Sequence, residues 1–245
     1  MSEALPPLSP EELLRRGAAA LGVPLAPGEV ERYLRYEREL RDWNARMNLT
    51  AAAEPGEVVV KHILDSLACF RVVSAGAGVR VLDVGTGAGF PGMVIKIHAP
   101  ETPVTLLDST RKKLAFLEHL SDVLGLSGVE TVHARAEDAG RDPGYRERFD
   151  LVVARAVAEL RVLLELCLPF VRVGGQFLAM KGPRGDEEMG PAARALSLLG
   201  GERERVESLS LPFGAGERRL ILIRKRRPTP RAYPRKAGTP GRWPL

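Results

Sequence analysis

The fold of this 245-residue chain is decided by one stretch, Val81-Leu82-Asp83-Val84-Gly85-Thr86-Gly87-Ala88-Gly89-Phe90-Pro91-Gly92. A β-branched apolar run ends near an acid, and three glycines at every second position then turn the backbone. Pro91 suits the first position of a helix because its φ is fixed. The stretch therefore predicts a strand, a glycine loop and a helix, an arrangement that holds ligands at the carboxyl ends of parallel strands. Glycine is needed where a ligand touches the backbone, since a Cβ would keep it away.

The spacing of the glycines narrows the choice of ligand. It fails the dinucleotide pattern G-x-G-x-x-G because residue 90 is Phe, and it lacks the Gly-Lys-Ser/Thr ending of a P-loop. Asp83 gives the pattern D-x-G-x-G-x-G, which resembles the first motif of Rossmann-like S-adenosylmethionine-dependent methyltransferases. A carboxylate can hold the cofactor's ammonium, directly or through water, while loop N–H groups face its carboxylate. Cofactor contacts are therefore predicted at Asp83, Gly85, Gly87 and Gly89; a tight turn without a ligand is the alternative.

Composition excludes several classes of protein. The chain is 44% hydrophobic and 27% charged, which is typical of a globular protein with a hydrophilic surface. We expect a cytoplasmic protein without a membrane span, because no span-length apolar run and no leader are evident. Cys69 and Cys167 lie far apart in apolar surroundings, which predicts buried free thiols in a reducing compartment. No metal is expected, since the four histidines lack the spacing of metal ligands.

Positive charge is concentrated at the C-terminal end. The formal net charge is +5, and ten Lys or Arg but no Asp or Glu lie between Arg218 and Leu245. A basic stripe confined to one end predicts contact with nucleic acid. The alternative is a solvated tail that only aids solubility.

The chain divides into three predicted segments. Residues 1–75 read as helices that pack on a sheet, residues 76–228 alternate strand and helix, and residues 229–245 form a basic, extended C-terminal tail. The expected fold is α/β, of the Rossmann-like class I methyltransferase type, with a mostly parallel seven-stranded sheet and helices on both faces. The strands are predicted at 79–84, 104–107, 130–134, 149–154, 176–180, 206–211 and 220–224.

Polar residues follow the predicted strands one after another. Asp108 ends the second strand, where an acid can accept the hydroxyls of a ribose, as in dinucleotide-binding folds. An N-cap of the next helix is the alternative for Asp108. Ala136 and Glu137 follow the third strand, where a backbone or side-chain group can read adenine. Lys181 ends the fifth strand.

Arg155 ends the fourth strand, directly after apolar residues, where a charge is costly unless it is paired. We expect Arg155 to face the cleft between cofactor and substrate. A salt bridge to Glu159 or Glu165 is the alternative.

Absent motifs restrict the methyl acceptor. The Asn/Asp-Pro-Pro-aromatic motif of adenine amino methylation is replaced by Ala154-Arg155-Ala156-Val157, and neither cysteine lies in the Pro-Cys pattern of cytosine C5 methylation. Acceptors that are already nucleophilic remain, such as the N7 lone pair of guanine. Catalysis can then rest on in-line placement without a general base.

The sequence from about residue 40 to 245 resembles one family. The matching motifs are Asn48-Leu49-Thr50, His62–Leu67, Asp83–Gly92, Ala154–Val157, Lys181-Gly182 and Tyr233-Pro234-Arg235-Lys236-x-Gly238-x-Pro240. They are similar to those of the bacterial small-subunit ribosomal RNA guanine-N7 methyltransferases, the RsmG or GidB family. The resemblance implies methylation of guanine 527 (RNA numbering), in the 530 loop of 16S rRNA. It also implies a cofactor site lined by Gly85, Phe90, Asp108, Ser109, Thr110, Ala136, Glu137 and Arg155.

The target and its contacts follow from the chemistry of RNA. N7 lies on the major-groove edge, which A-form RNA closes to proteins, so the target should be a loop base or a splayed-out base. Arg155 and Lys181 are the candidate catalytic residues. Asp65 shares a helix face with His62 and either touches RNA or caps a turn. Predicted RNA contacts, including both candidate catalytic residues, are Lys61, His62, Arg155, Lys181, Arg231, Arg235 and Lys236.

The partner is then 16S rRNA or the small ribosomal subunit, and the chain is expected to be a monomer. Two other functions stay open at this point. One is a small-molecule methyltransferase whose basic tail is incidental. The other is a non-catalytic ribosome-assembly factor that binds the cofactor only as a fold stabiliser.

Overall fold

The N-terminal part of the protein is helical in the computed structural model, which describes residues 8–51 and 54–245. Helix α1 (Pro10–Ala20) begins after Ser9, whose hydroxyl accepts the Glu12 N–H while the Glu12 carboxylate accepts the Ser9 N–H. Helix α2 (Pro27–Met47) ends at Asn48, in the left-handed conformation, where the sequence predicted a break. Residues 1–7 and 52–53 of the predicted helical segment lie outside the described residues.

The third helical segment is irregular. It consists of α3 (Pro55–Val58), a π-helical turn (Val59–Leu64), α4 (Asp65–Leu67) and a 3₁₀ turn (Ala68–Arg71). Its periodicity predicted one continuous helix from about Gly56, and the π turn is a departure from it. π turns are rare and often occur at functional sites; this one carries Lys61 and His62.

A seven-stranded sheet forms the centre of the fold, as predicted. Its order is β3-β2-β1-β4-β5-β7-β6, and β7 runs antiparallel to both β5 and β6 while the other pairs are parallel. Each predicted strand overlaps an observed one, but β5 starts five residues before the predicted strand at 176–180. The strands are β1 (Val81–Val84), β2 (Val104–Asp108), β3 (Val129–His133), β4 (Phe149–Arg155), β5 (Val171–Lys181), β6 (Gly201–Ser210) and β7 (Glu217–Lys225).

Helices cover both faces of the sheet and bury two apolar clusters. One cluster joins the N-terminal helices to α5 (Gly92–His98) and α6 (Arg111–Leu124). The other lies under α8 (Leu160–Cys167) and α9 (Met189–Leu198) and includes the end of the short α7 (Ala136–Ala139). Cys69 lies in the first cluster and Cys167 in the second; both are free and fully buried, and burial raises the pKa of each thiol.

The strand order reverses between β1 and β4. From β1 the chain proceeds to β2 and β3 on one side, and β4 then pairs with the other edge of β1. Open α/β sheets bind ligands at such a switch point, outside the carboxyl ends of the strands. The glycine loop after β1 and Arg155 at the end of β4 lie at this position.

The C-terminal residues 229–245, which we call the strap, pack against the body of the protein, so the expectation of an extended tail is wrong. Arg146 donates to the carbonyls of Thr229 and Tyr233 at 2.7 and 2.8 Å, and Arg235 forms an ion pair with Glu165. The strap ends with a short helix, α10 (Thr239–Arg242). Within the described residues, no helix has the length and apolarity to cross a bilayer.

Candidate functional site

The loop after β1 depends on its glycines. Gly85, Gly87 and Gly89 have φ values of 71°, 62° and 100°, a region that favours glycine. A Cβ on Gly85 would lie 2.8 Å from Val157 Cγ2, and one on Gly89 would lie 2.5 Å from the Tyr36 hydroxyl. The loop is therefore a compact turn whose backbone is closely packed on both sides.

Asp83 lies beneath this loop and is fully buried. Its Oδ2 accepts hydrogen bonds from Thr86 Oγ1 at 2.7 Å and from the Gly92 N–H at 2.8 Å. Its Oδ1 is buried and has no partner within the described part of the chain. Burial raises the pKa of Asp83 to about 6, since the hydrogen bonds and Arg155 only partly offset the loss of hydration. This carboxylate thus carries a negative charge under the loop that its surroundings compensate only in part.

A cleft of 320 Å³ opens beside the loop, within the roughly 300–1,000 Å³ range of small-molecule sites. It brings together the carboxyl ends of four strands, β1 to β4, and six of the predicted cofactor residues. Asp83, Gly87, Gly89, Phe90 and Arg155 do not line it, although the first three belong to or support the adjoining loop. The lining residues are Val84, Gly85, Leu107, Asp108, Ser109, Thr110, Lys113, Ala134, Arg135, Ala136, Glu137, Ala156, Val157 and Leu166.

Asp108 ties the loop to β2. Its Oδ2 accepts the Gly87 N–H at 3.0 Å and its Oδ1 accepts the Thr110 N–H at 2.8 Å, with Lys113 Nζ 3.7 Å away. The residue preceding α6 is Thr110, so Asp108 is not the N-cap of that helix. The carboxylate orders two backbone segments and still borders the cleft.

Glu137 borders the cleft but also contacts the strap, which the sequence did not indicate. Its Oε1 accepts the Gly238 N–H at 2.8 Å, and only 8% of the residue is exposed. Ala136 lines the cleft beside it. One of the two residues expected to read adenine is therefore held by the far end of the chain.

Arg155 forms a set of contacts at the end of β4. Its Nη1 donates to Asp65 Oδ2 at 2.8 Å and to the Lys61 carbonyl at 3.1 Å, and its guanidinium lies 5.3 Å from the Phe90 ring centroid. The ion-pair partner is Asp65, neither Glu159 nor Glu165. Its Nε is buried without a partner among the described residues. The charge is thus paired and fixed in place.

His62 links Arg155 to the N-terminal helices. Its Nδ1 lies 3.2 Å from Arg155 Nη2, and its Nε2 lies 2.7 Å from Thr50 Oγ1. Burial, assisted by the adjacent Arg155 charge, lowers the pKa of His62 to about 4, so the ring is neutral at pH 7. Because a guanidinium only donates, Nδ1 accepts, and we place the ring proton on Nε2.

Phe90 is stacked between two rings and is only 5% exposed. The Tyr36 ring lies 5.0 Å away on a nearly parallel plane, and the His62 ring lies 4.9 Å away. The Tyr36 hydroxyl also donates to the Ala88 carbonyl of the glycine loop at 2.5 Å. Sequence reasoning missed Tyr36; its position three residues after Tyr33, on the same face of α2, was the available signal.

A second cavity, of 330 Å³, lies next to the first and shares Ala156 with it. Asp65 joins two of its arginines, because its Oδ1 also accepts from Arg218 Nε at 2.8 Å. Lys181 Nζ donates to the Ala158 carbonyl at 2.7 Å and lies 2.9 Å from Glu188. Arg218 was not singled out from the sequence, although it begins the basic stretch. The lining residues are Lys61, Asp65, Arg155, Ala156, Met180, Lys181, Gly182 and Arg218.

The predicted RNA residues fall into two separate places. Lys61, Arg155 and Lys181 line the second cavity, and His62 contacts Arg155. In the strap, Arg231 and Lys236 are exposed and make no ion pair within the described residues. Arg235 instead binds the buried Glu165 through Nη2 at 2.6 Å and Nε at 2.9 Å. The RNA contacts remain predictions.

The described residues contain no cluster of three His, Cys, Asp or Glu able to hold a metal ion. The site does fit S-adenosylmethionine. A buried carboxylate with an unpartnered oxygen supplies negative charge for the ammonium, and the cleft beyond the loop has polar side chains after β2 and β3.

The fold and the site together define a class I S-adenosylmethionine-dependent methyltransferase. The family can be named from the sequence comparison. The chain belongs to the GidB family, whose model, described as rRNA small subunit methyltransferase G, matches residues 29–221.

Similar proteins carry the same description. The Ribosomal RNA small subunit methyltransferase G of Symbiobacterium thermophilum is 53% identical over 238 residues, which cover 95% of this chain and 97% of that protein. The protein of this name from Acetivibrio thermocellus is 47% identical over 234 residues and 96% of both chains.

Solved structures agree on the fold alone. TrmN from Thermus thermophilus superposes with a TM-score of 0.52 at 22% identity, over 66% of this chain and 48% of that one. Precorrin-6y C5,15-methyltransferase from Geobacter metallireducens gives a TM-score of 0.50 at 13% identity, over 66% of this chain and 87% of that one.

Proposed function

We propose that this protein transfers the methyl group of S-adenosylmethionine to N7 of guanine 527 (RNA numbering), in the 530 loop of 16S rRNA. The family and the names of its members support a small-subunit rRNA substrate. The observation that carries the proposal is a cation-rich cavity that adjoins the cofactor cleft and, among the residues that the structure describes, contains no free base. The protein is proposed to act as a monomer in the cytoplasm, on the small ribosomal subunit.

The glycine loop and the cleft are proposed to bind the cofactor. Asp83 places negative charge behind the loop for the ammonium, and Asp108 borders the region expected for the ribose. Asp108 can accept ribose hydroxyls because each carboxylate oxygen retains acceptor capacity beyond the backbone hydrogen bond it already makes. Ala136 and Glu137 border the region expected for adenine. The proposed cofactor residues are those predicted from the sequence, Asp83, Gly85, Gly87, Gly89, Phe90, Asp108, Ser109, Thr110, Ala136, Glu137 and Arg155.

The cofactor supplies an electrophilic methyl group on a sulfonium sulfur. The charged side chains around the second cavity already form ion pairs or hydrogen bonds, so they are not available to accept a proton from a substrate. Asp65 is paired with two arginines, and Lys181 is paired with Glu188. Both ring nitrogens of His62 have partners.

An acceptor that must lose a proton before it attacks would find no free base among these groups. Guanine N7 has a lone pair available at pH 7 and needs none. We therefore propose in-line displacement that depends on placement of the reacting atoms, with Arg155 and Lys181 as the catalytic residues. These two residues are proposed to fix the target base, and their side chains supply positive charge in the cavity.

The RNA is proposed to enter with its phosphates toward the cavity cations. Lys61, Arg155, Lys181 and Arg218 line the second cavity, and phosphodiesters bind such clusters with strong salt dependence. Because N7 is not accessible in an A-form helix, guanine 527 would have to be unpaired or splayed out. His62 and the exposed Arg231 and Lys236 are proposed as further contacts, with Arg235 as an indirect one.

Labelled cofactor tests the proposal. The protein is incubated with methyl-labelled S-adenosylmethionine and with 30S subunits or 16S rRNA, and the modified nucleotide is mapped by mass spectrometry of nuclease fragments. We expect one labelled guanine, with the label released as 7-methylguanine after depurination. Label on another atom contradicts the N7 assignment. Cofactor binding without any transfer to RNA favours the assembly-factor function.

A charge-neutralised variant separates RNA from small-molecule substrates. In Arg231→Ala/Lys236→Ala, RNA turnover should fall and its dependence on salt should flatten, because two phosphate contacts are lost. Turnover that is unchanged at every salt concentration would favour a small-molecule acceptor. Arg235 is left intact in this variant because of its pairing with Glu165.

A further inference from the structure

The strap connects the last strand to the cofactor cleft. It follows β7, whose Lys225 is fully buried and donates to the Leu168 carbonyl and to Thr229 Oγ1, both at 2.5 Å. Arg146 then holds it through carbonyls at its start and middle, Thr229 and Tyr233. The strap is thus anchored along its length by cations of the body as well as by its own.

Two further contacts place the strap at the walls of the cleft. Arg235 binds Glu165 on α8 by its backbone N–H at 2.7 Å and by its guanidinium, and Glu165 is fully buried. The next residue along α8, Leu166, lines the cleft. Gly238 N–H donates to Glu137, which also lines this cleft. The strap therefore contacts one cleft residue directly, Glu137 after β3. On α8 it contacts Glu165, the neighbour of the cleft residue Leu166.

Arg146 makes a second connection between the strap and the segment around α7 that carries Glu137. Its Nη1 donates both to the Tyr233 carbonyl and to the carbonyl of Gly140, the residue after α7, at 2.8 and 2.9 Å. Pro234 packs on Gly140 closely enough that a Cβ there would lie 3.1 Å from Pro234 Cγ. Helix α7 has only four residues, and besides its packing in the second apolar cluster it is held by these contacts with the strap.

We propose that the strap is a positioning element for the cofactor, with Arg235 and Gly238 as its positioning residues. They hold Glu137 and the α8 wall in place for the adenine end of S-adenosylmethionine. Glu137 Oε1 is occupied by Gly238, while Oε2 makes no hydrogen bond in the described residues and is the oxygen left for a ligand. The basic character of Arg235 thus serves the cofactor cleft rather than a direct RNA contact. This inference rests on the cleft assignment made in the proposed function.

A matched pair of strap variants tests the inference. Arg235→Ala and Arg231→Ala each remove one positive charge, but only Arg235 is paired with the body. We expect Arg235→Ala to raise the Kd for S-adenosylhomocysteine about tenfold by calorimetry, and Arg231→Ala to change it less than about twofold. At saturating cofactor, kcat of Arg235→Ala should stay within about threefold of wild type while KM for the cofactor rises. Arg235→Lys should recover part of the affinity, because it restores a cation beside Glu165.

The contrary results are equally specific. If Arg235→Ala binds S-adenosylhomocysteine as wild type does, or if Arg231→Ala weakens binding as much, the strap does not position the cleft. Gly85→Val is measured in the same assay. If Gly85→Val also leaves affinity intact, the cleft assignment itself has failed; if only Arg235→Ala does, the strap inference alone has failed.

Hydrogen exchange of the wild-type protein covers the case in which Arg235→Ala does not fold. Coupling between two sites is reciprocal, so a strap that orders the cleft is itself ordered by a ligand in the cleft. Addition of S-adenosylhomocysteine should slow exchange of the Arg235 and Gly238 amides several-fold and leave Arg231 unchanged. Equal exchange of Gly238 with and without ligand would overturn the inference.

Discussion

Replacing Asp83 by Asn tests whether the buried charge under the glycine loop is kept for the cofactor. The pKa of Asp83 rises from 3.8 to about 6 on burial, and at 1.36 kcal/mol per pKa unit its ionised form costs the free protein about 3 kcal/mol at pH 7. Asparagine retains one carbonyl oxygen for Thr86 and Gly92 and carries no charge. We therefore expect Asp83→Asn to raise the free energy of unfolding at pH 7 by up to about 3 kcal/mol, while cofactor affinity falls at least about tenfold.

The pH dependence gives the sign of the effect. A carboxyl group whose pKa is raised by folding stabilises the native state most below its unfolded pKa, and this contribution is lost as pH rises through the folded value. The stability gained by Asp83→Asn should therefore be near zero at pH 4 and reach its full size above pH 6. Cofactor affinity of the wild type should fall below pH 6, since a protonated Asp83 no longer attracts an ammonium.

Chemical denaturation and calorimetry between pH 4 and pH 8 measure both quantities. The variant should show a flat cofactor affinity where the wild type shows a slope. An Asp83→Asn protein that is no more stable than wild type at pH 7, and binds the cofactor equally well, would refute the reasoning. The amide Nδ2 of the variant replaces the unpartnered Oδ1 and offsets part of the gain equally at every pH. A stability difference between variant and wild type that stays constant from pH 4 to pH 8 would therefore refute the assignment of the raised pKa.

Three further substitutions probe the rest of the site. Gly85→Val should lower cofactor affinity more than about tenfold by calorimetry, because its φ is 71° and its Cβ would lie 2.8 Å from Val157; normal affinity would show that the loop tolerates a side chain. Asp65→Asn should lower kcat/KM for RNA about tenfold in a methyl-transfer assay and leave cofactor affinity within about twofold, because Arg155 loses its charged partner; an equal loss of cofactor affinity would contradict this. Because folding lowers the pKa of His62 to about 4, its contribution to stability is present above pH 6.5 and lost as pH falls toward 4. In denaturation curves, His62→Gln should lose about 3 kcal/mol less free energy of unfolding than wild type between pH 6.5 and pH 4. An equal loss in both proteins would exclude a buried neutral ring.

Local patterns predicted the framework of this fold well. Helix α5 begins directly after Pro91, where the glycine loop predicted a helix, and β2 differs from its prediction by one residue, Asp108, which extends the strand. Both elements have strong apolar runs and clear end signals. Helix α5 lies between Pro91 and Pro100. Strand β2 follows Pro103 and ends at the acid Asp108. The sheet and its helices then follow from alternation of strand and helix along the chain.

Long-range contacts could not be predicted in the same way. The partner of Arg235 is 70 residues away, and a Pro- and Gly-rich composition reads as extended whether or not the segment docks. Arg155 was recognised as a charge needing a partner, but Asp65 lies 90 residues earlier, beyond any local pattern. The π turn was missed because the apolar residues Val59, Ile63 and Leu67 recur at four-residue steps, which are also typical of an α-helix.

The pairing of Asp65 with Arg218 has a consequence for synthesis of the protein. These residues are 153 positions apart, and Arg218 belongs to the last strand in the sequence. At about 5–20 residues per second, a ribosome polymerises Asp65 roughly 8 to 30 s before Arg218 is added. The nascent chain therefore holds an acid without its second arginine for that interval, and its catalytic pocket is completed only as translation approaches its end.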